Sequence, residues 1–325
     1  MTTGKPRVLA TRHFPPAVEK RLTAGFDAIL NPEDRLYDGP ALVRAAAGCD
    51  AILCAAGDAL NAETIAALPA SIRMIATFSV GYEHIDVGAA AKRSIAVSNT
   101  PDVLTDATAD IAMLCLLGAA RRAHEGMTML RTHSWVGWTP TQLMGVHVTG
   151  KRLGILGMGR IGQAMADRAR AFRMQIHYSN RQRLPPELEK GAVFHADPDD
   201  MLPHSDFLSI NAPMSPATRK WVNAERIARL PAGAIVVNTA RGGVVDDEAL
   251  IAALKSGRLA SAGLDVFDGE PKLHAGYYDL PNAFLLPHMG SATVETRNAM
   301  GFKALDNLEA FLLRKQAPPD LVKVS

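Results

Sequence analysis

The sequence is short of several things, and each shortage closes off a class of protein. Only three cysteines occur in 325 residues, Cys49, Cys54 and Cys115, each within an apolar stretch and none at a metal-ligand spacing. A disulfide framework and a thiolate metal centre are both excluded by that pattern. Buried reduced thiols are the expectation, and they fit a cytoplasmic protein. Net charge is also lacking: 35 basic residues face 33 acidic ones, for a formal +2. No charge field is available to attract nucleic acid or a membrane surface, so neither partner is expected. Long apolar runs are missing too. The N-terminal "MTTGKPRVLATRHF" has no continuous hydrophobic segment of the kind a signal peptide needs. The run "IAMLCLLGAA" at 111–120 is too short to span a bilayer and reads as a buried helix. Neither a repeat signature nor a low-complexity tract is visible.

What is present is ample core material. Hydrophobic residues make up 48% of the chain and charged residues 21%, values that favour a packed fold over disorder. A chain of 325 residues implies about two domains. In the first hundred residues, "RVLAT" (7–11), "AILCAA" (51–56), "MIATFS" (74–79) and "IAVSNT" (95–100) read as buried strands, with helical segments such as "AVEKRLTAG" and "ETIAALPA" between them. A second alternating series follows, with strands expected at 152–156, 175–178, 206–210, 233–237, 260–264 and 283–286. Strands alternating with helices build parallel sheets from βαβ units. Long helices are expected on both sides of the second series, over "DVLTDATADIAMLCLLGAARRAHEG" and "SATVETRNAMGFKALDNLEAFLLRK". They would carry the chain into a second domain and back, so the C-terminal tail should rejoin the first.

"GILGMGRIG" supplies Gly157, Gly159 and Gly162 in the pattern G-x-G-x-x-G. The pattern alone is unspecific, but here it follows a strand-like run and opens a helical one, which is the setting of a dinucleotide site. Gly157 permits the tight turn, Gly159 lets backbone approach a pyrophosphate, and Gly162 lets helix and strand pack closely. The next strand of such a unit ordinarily ends in an acid that holds the adenosine ribose hydroxyls. Here "IHYSNR" places Ser179, Asn180 and Arg181 there, with Arg183 nearby. An acid would repel a ribose 2′-phosphate, whereas hydrogen-bond donors and a cation accommodate it. NADP(H) is therefore the expected cofactor, and NAD(H) the alternative.

Three stretches follow strand-like runs in the second series: "VVNTARGGVVDDEAL", "AGLDVFDGEP" and "LLPHMGSAT". They place Arg241, Asp265, Glu270 and His288 at strand C-termini, where open α/β sheets bind ligands. Arg241 can fork onto a carboxylate, and His288 can exchange a proton with an alcohol or carbonyl oxygen. A carboxylate touching that imidazole would orient it and raise its pKa. Other histidines, among them His84, His147 and His195, read as surface or packing residues. The chemistry calls for no metal.

With these motifs in place the chain resembles the D-2-hydroxyacid dehydrogenase family over nearly its whole length. "SVGYEHID", "NTPDVLTDATAD", "LGILGMGRIG", "NTARGGVVDDEAL", "AGLDVFDGEP" and "PHMGSAT" look like family signatures in the family's order. The resemblance implies two doubly wound α/β parallel-sheet domains. One is a flavodoxin-like split substrate domain (1–101 plus 292–325), and the other an inserted Rossmann dinucleotide-binding domain (102–291), with the active site in the cleft. It implies that Arg241 binds the substrate carboxylate and the reacting oxygen, that His288 is the acid/base and Glu270 its partner, and that the amides of Val80 and Gly81 grip the carboxylate. The implied cofactor contacts are Thr105 near the hinge, Met158, Arg160 and Ile161 within the glycine loop, and Pro213 and Thr218 on the adenosine side. Thr239, Ala240, Asp265 and Gly290 complete them on the nicotinamide side.

Within the family, Glu270 argues against formate dehydrogenases, which pair the histidine with glutamine. The chain is too short for the extra domain that many phosphoglycerate dehydrogenases carry. The missing ribose acid and the loop "SWVGWTP" resemble NADPH-preferring glyoxylate/hydroxypyruvate reductases, in which Trp138 would help close the pocket, even that of a partner subunit. A homodimer acting on a small 2-oxo or 2-hydroxy acid is the resulting expectation. An NAD(H)-dependent dehydrogenase of other substrate preference and a dinucleotide-sensing corepressor are the rivals. A β-hydroxyacid dehydrogenase of the phosphogluconate type is disfavoured, because its glycine loop lies at the N-terminus.

Overall fold

The computed structural model describes residues 4–323. Two compact units emerge, one formed by Met1–Leu104 with Ala292–Ser325, the other by Thr105–Ser291. The second unit begins with the helix that starts at Thr105.

The first unit is built on five parallel strands: β1 (Arg7–Ala10), β2 (Asp27–Ile29), β3 (Ala51–Cys54), β4 (Met74–Thr77) and β5 (Ala96–Ser98). Their order is β2-β1-β3-β4-β5, the flavodoxin-like arrangement. Strand β2 is not expected from the sequence. It is a three-residue edge strand without a buried side chain, so it carries no apolar run. The central strands are buried on both faces, which explains their unbroken hydrophobic character. One face packs Leu9, Ile52 and Ile75 against Leu42 and Ile65. The other packs Val8, Leu53 and Ala76 against Leu22, Leu305 and Leu308. Leu305 and Leu308 belong to the Val294–Leu308 helix, so the C-terminal segment completes this core. The tail is also pinned to β5, with Val322 N–H donating to Val97 O at 2.8 Å.

The second unit carries seven parallel strands: β6 (Arg152–Leu156), β7 (Gln175–Ser179), β8 (Val193–Phe194), β9 (Phe207–Ile210), β10 (Ala234–Asn238), β11 (Leu259–Leu264) and β12 (Ala283–Leu285). Their order, β12-β11-β10-β9-β6-β7-β8, is that of the doubly wound dinucleotide fold with an added edge strand. Strand β8 also goes unannounced in the sequence, being two residues long and at the sheet edge. Ile155, Ile235 and Val237 are fully buried beneath one helix layer. Each such side chain contributes about 1.5–3 kcal/mol of burial.

The long helix expected after residue 101 is two helices, Thr105–Ala120 and Ala123–Arg131. Both sequences favour helix, yet Arg122 takes a left-handed φ of 52° between them. The Ala120 carbonyl there accepts from Val146 N–H at 2.8 Å. The Arg122 guanidinium closes on Glu125 at the start of the second helix. All three cysteines are buried free thiols. Among the described residues no helix is long and apolar enough to cross a membrane.

Candidate active site

The strand order reverses between β6 and β9, and the glycine loop leaves the sheet at this switch point. Gly157 has φ of 92°, and a Cβ there would lie 2.7 Å from Ala212 N in the segment leaving β9. A Cβ at Gly162 would lie 2.4 Å from the Gly157 carbonyl oxygen. Both positions therefore require glycine. Gly159 differs, since a Cβ there would meet nothing within 4 Å. It is the N-cap of the Arg160–Ala171 helix and makes no side-chain cap bond, so the helix N-terminus opens onto free space. Next to Gly157, where a Cβ would lie 2.9 Å from the Asn211 carbonyl carbon, the buried Oδ1 of Asn211 has no hydrogen-bond partner among the described residues. Open space over helix N–H groups, with a buried polar atom awaiting a partner, fits a dinucleotide's phosphates and ribose.

The loop residues divide their work. Met158 turns its side chain into the core, and its N–H donates to Asn180 Oδ1 at 2.6 Å. Asn180 thus braces the glycine loop from the end of β7. Ser179 is buried, and its carbonyl accepts from Gly157 N–H at 3.0 Å. Arg181 is exposed and makes no hydrogen bond or ion pair among the described residues. Arg183, by contrast, is committed to the buried Glu189, at 2.8 and 3.0 Å. Of the two arginines, only Arg181 remains available to an anion. Arg160 and Ile161 form the first turn of the helix. Opposite lies the loop after β9, where the Thr218 hydroxyl donates to Pro213 O at 2.7 Å and accepts from Ser215 N–H at 2.8 Å. Thr218 organises its own loop. Thr105 is the first residue of its helix.

Beyond β10, the fully buried Asn238 shapes the turn that carries Arg241. Its Oδ1 accepts from Ala240 N–H and its Nδ2 donates to Arg241 O, both at 3.0 Å. Thr239 is buried within this turn, and Arg241 is half-buried with Nη1 donating to Ala240 O at 2.7 Å. After β11, Asp265 is buried and accepts from the amides of Met289 (2.6 Å) and Gly290 (2.8 Å). Burial raises the Asp265 pKa against those two hydrogen bonds. Asp265 therefore anchors the turn that presents His288, whose backbone is held at a φ of 54°. A left-handed φ at histidine is uncommon and costs free energy, which the surrounding bonds must offset.

His288 Nδ1 lies 2.6 Å from Glu270 Oε2, and Glu270 Oε1 accepts from Phe267 N–H at 2.8 Å. The hydrogen bond to Glu270 raises the histidine pKa, outweighing burial and the Arg241 charge. Burial pushes the Glu270 carboxyl up, but its hydrogen bonds and the charges of His288 and Arg241 leave it below the usual range. The His288 side chain is half exposed, and Nε2 has no partner among the described residues. The arrangement is an imidazole oriented on one nitrogen and open on the other, within the field of an arginine.

In the other unit, Val80 and Gly81 are half-buried in the loop after β4. Trp138 is 77% exposed on the segment after the Ala123–Arg131 helix. Sequence reasoning overlooked Asn211 and Asn238. Each is an asparagine directly after or at the end of a buried strand, and that position was the available signal.

The family model for the D-isomer specific 2-hydroxyacid dehydrogenase NAD-binding domain matches residues 113–290. The chain belongs to the D-isomer-specific 2-hydroxyacid dehydrogenases. This dehydrogenase is 46% identical over 309 residues to a glycerate dehydrogenase of Hyphomicrobium methylovorum, covering 94% of this chain and 96% of that one. It is 41% identical over 323 residues to a glyoxylate reductase of Thermococcus kodakarensis, covering 98% and 96%. An NADPH-dependent glyoxylate/hydroxypyruvate reductase of Sinorhizobium meliloti, solved with NADP and malonate, superposes with a TM-score of 0.88 at 34% identity, covering 98% and 97%. The dehydrogenase thus binds a nicotinamide dinucleotide on its seven-stranded unit and acts as a 2-hydroxyacid dehydrogenase.

Proposed function

We propose that the enzyme reduces a small 2-oxo acid, glyoxylate or hydroxypyruvate, to the D-2-hydroxy acid, with a preference for NADPH. The observation that carries the reaction is the pairing of His288 with Glu270, which leaves Nε2 to face a reacting oxygen. The bound reduced nicotinamide supplies the hydride. His288, protonated and held through Nδ1–H by Glu270, gives its Nε2 proton to the carbonyl oxygen as that oxygen becomes a hydroxyl. Arg241 pairs with the substrate carboxylate and stabilises negative charge developing on the same oxygen. The Val80 and Gly81 amides bind the carboxylate. Asp265 and Gly290 hold His288 in place on the nicotinamide side, and Thr239 and Ala240 line that side with Arg241. Positioning and charge stabilisation carry most of the rate enhancement.

The NADPH preference rests on Asn180 and Arg181, which stand where an acid would repel the 2′-phosphate. The Sinorhizobium meliloti enzyme, named as NADPH-dependent, lends support as a relative. Its name also lends support to the substrate, as do those of the glyoxylate reductases. The active form is a homodimer, with Trp138 closing the pocket. The test is kcat/KM for glyoxylate, hydroxypyruvate, pyruvate and phenylpyruvate, each with NADPH and NADH. The proposal fails if NADH is preferred with every acid, or if a bulky 2-oxo acid is reduced fastest.

A further inference from the structure

The loop after β4 has an unusual hydrogen-bond ledger. The carbonyl oxygens of Ser79, Val80 and Gly81 are occupied. Ser79 O accepts from Thr100 N–H at 2.9 Å, Val80 O accepts from Asn99 Nδ2 at 2.8 Å, and Gly81 O accepts from Ser79 Oγ at 2.6 Å. The Val80 and Gly81 N–H groups, by contrast, meet no acceptor among the described residues. Tying these three carbonyls back into the unit leaves the two amides as a pair of uncommitted donors. Such a pair is receptive to an anion.

The bond to Gly81 O also fixes the direction of a longer chain. A carbonyl has no proton to give, so Ser79 Oγ must donate to it. Ser79 Oγ lies 2.8 Å from Thr77 Oγ1 and, with its own proton committed, accepts from it. Thr77 Oγ1 lies 3.1 Å from His84 Nε2 and, with its proton given to Ser79, accepts there as well. His84 must therefore carry a proton on Nε2. Thr77 is fully buried and Ser79 nearly so, which shields these bonds from competing water.

We infer that His84, Thr77 and Ser79 form a one-way hydrogen-bond chain that, with Asn99, positions the Val80 and Gly81 amides for the substrate carboxylate. The inference rests on the reading above that these amides bind that carboxylate. These are positioning residues, since none of them touches the reacting atoms. Their contribution is made equally to bound substrate and to the transition state, so losing it raises KM and leaves kcat in place.

The experiment uses the full-length enzyme with oxamate, a carboxylate that is not reduced. Binding of oxamate to the cofactor-loaded enzyme is followed by the amide nitrogen and proton shifts of Val80 and Gly81. Steady-state constants are then compared for Ser79→Ala, Ser79→Thr, His84→Phe and His84→Gln, with NADPH binding measured by fluorescence as a check on the other unit. Ser79→Ala and His84→Phe are expected to raise KM for the 2-oxo acid and Ki for oxamate about tenfold, the loss of one hydrogen bond beside a charged ligand. kcat and NADPH affinity should stay within about twofold of the unaltered enzyme. Ser79→Thr keeps the hydroxyl and His84→Gln keeps a donor, so both should restore KM. If the two amides shift with oxamate but Ser79→Ala and His84→Phe leave KM and Ki unchanged, or lower kcat alone, the positioning chain is overturned and the carboxylate reading survives. If the amides do not shift at all, the carboxylate reading falls and the chain falls with it.

Discussion

Glu270 Oε2 and His288 Nδ1 approach to 2.6 Å, although 18 residues and a sheet strand separate them in the chain. The contact favours the protonated form of His288. Its pKa is raised chiefly by the Glu270 hydrogen bond, so the imidazolium persists to a higher pH than in a free side chain. The reductive direction needs that imidazolium. Reduction is therefore expected to be fast below the raised pKa and to fall as pH climbs through it. Glu270→Gln keeps a hydrogen-bond acceptor but removes the charge, and should move the fall to lower pH. The measurement is kcat/KM for glyoxylate against pH in both enzymes; identical profiles would break the link. The same pair affects folding. The raised pKa contributes stability that is full below the ordinary value of 6.5 and is lost as pH rises through the folded value.

The cofactor preference is tested at the end of β7. Arg181→Ala should weaken NADPH about tenfold, the scale of a hydrogen bond to a charged group after screening at an exposed site. NADH has no phosphate there and should be little affected. Asn180→Asp introduces repulsion against a 2′-phosphate and an acceptor for ribose hydroxyls, so it should lower KM for NADH and raise it for NADPH. Asn180 Oδ1 accepts from Met158 N–H at 2.6 Å, and an Asp carboxylate can keep that bond, so the glycine loop should hold. Equal loss with both cofactors in Arg181→Ala would count against the reading.

Much of this site is legible in the sequence because its residues sit at fixed offsets from buried strands. Gly157 follows β6, Arg241 follows β10, and Asp265 follows β11. An apolar strand followed by a polar turn announces both the sheet and its ligand-binding edge. Strands β2 and β8 escape notice because edge strands bury little and need no apolar run. The break at Arg122 escapes because it is imposed by Val146 N–H on the Ala120 carbonyl, a contact 26 residues away. Arg183 stands near the expected phosphate in sequence, and only the fold shows that it is held by Glu189. His84 reads as an ordinary packing residue, since only the folded loop shows the hydroxyls of Thr77 and Ser79 lined up beside it.

The face of the second unit around residues 127–144 is expected to pair with a second copy. Met127 and Leu130 lie one turn apart on the Ala123–Arg131 helix, at 51% and 61% exposure, and Trp135, Val136 and Trp138 follow on the next segment, all at least half exposed. A concentration of large apolar side chains on one stretch marks an interaction surface. Sedimentation should give twice the chain mass at micromolar concentration, and Leu130→Glu with Val136→Asp should shift it towards the monomer. A monomeric unaltered enzyme would rule the pairing out.

A last expectation concerns acid. His177 on β7 is stacked on His204, with ring centroids 5.3 Å apart, and its Nδ1 lies 3.0 Å from His195 Nε2. Burial is the main reason that the His177 pKa is pushed down to about 4, aided by His195, His204 and Arg152 and opposed by Asp206. His195 is lowered as well, by burial and His204 against Asp200. The unfolded chain takes up a proton at His177 near 6.5, while the folded chain resists it until about 4. Between those values the unfolded state binds more protons, so stability rises with pH there and is lost as pH falls. Above that window both states are neutral at His177 and the effect vanishes. After allowance for solvent screening, the loss at pH 5 relative to pH 7 is about 1–2 kcal/mol from this residue. Replacing His177 by Asn removes the titrating ring and relieves His195 of one neighbour, so the urea midpoint should become flatter between pH 5 and 7. If the unaltered enzyme and His177→Asn lose the same stability over that interval, the histidine stack does not govern its acid sensitivity.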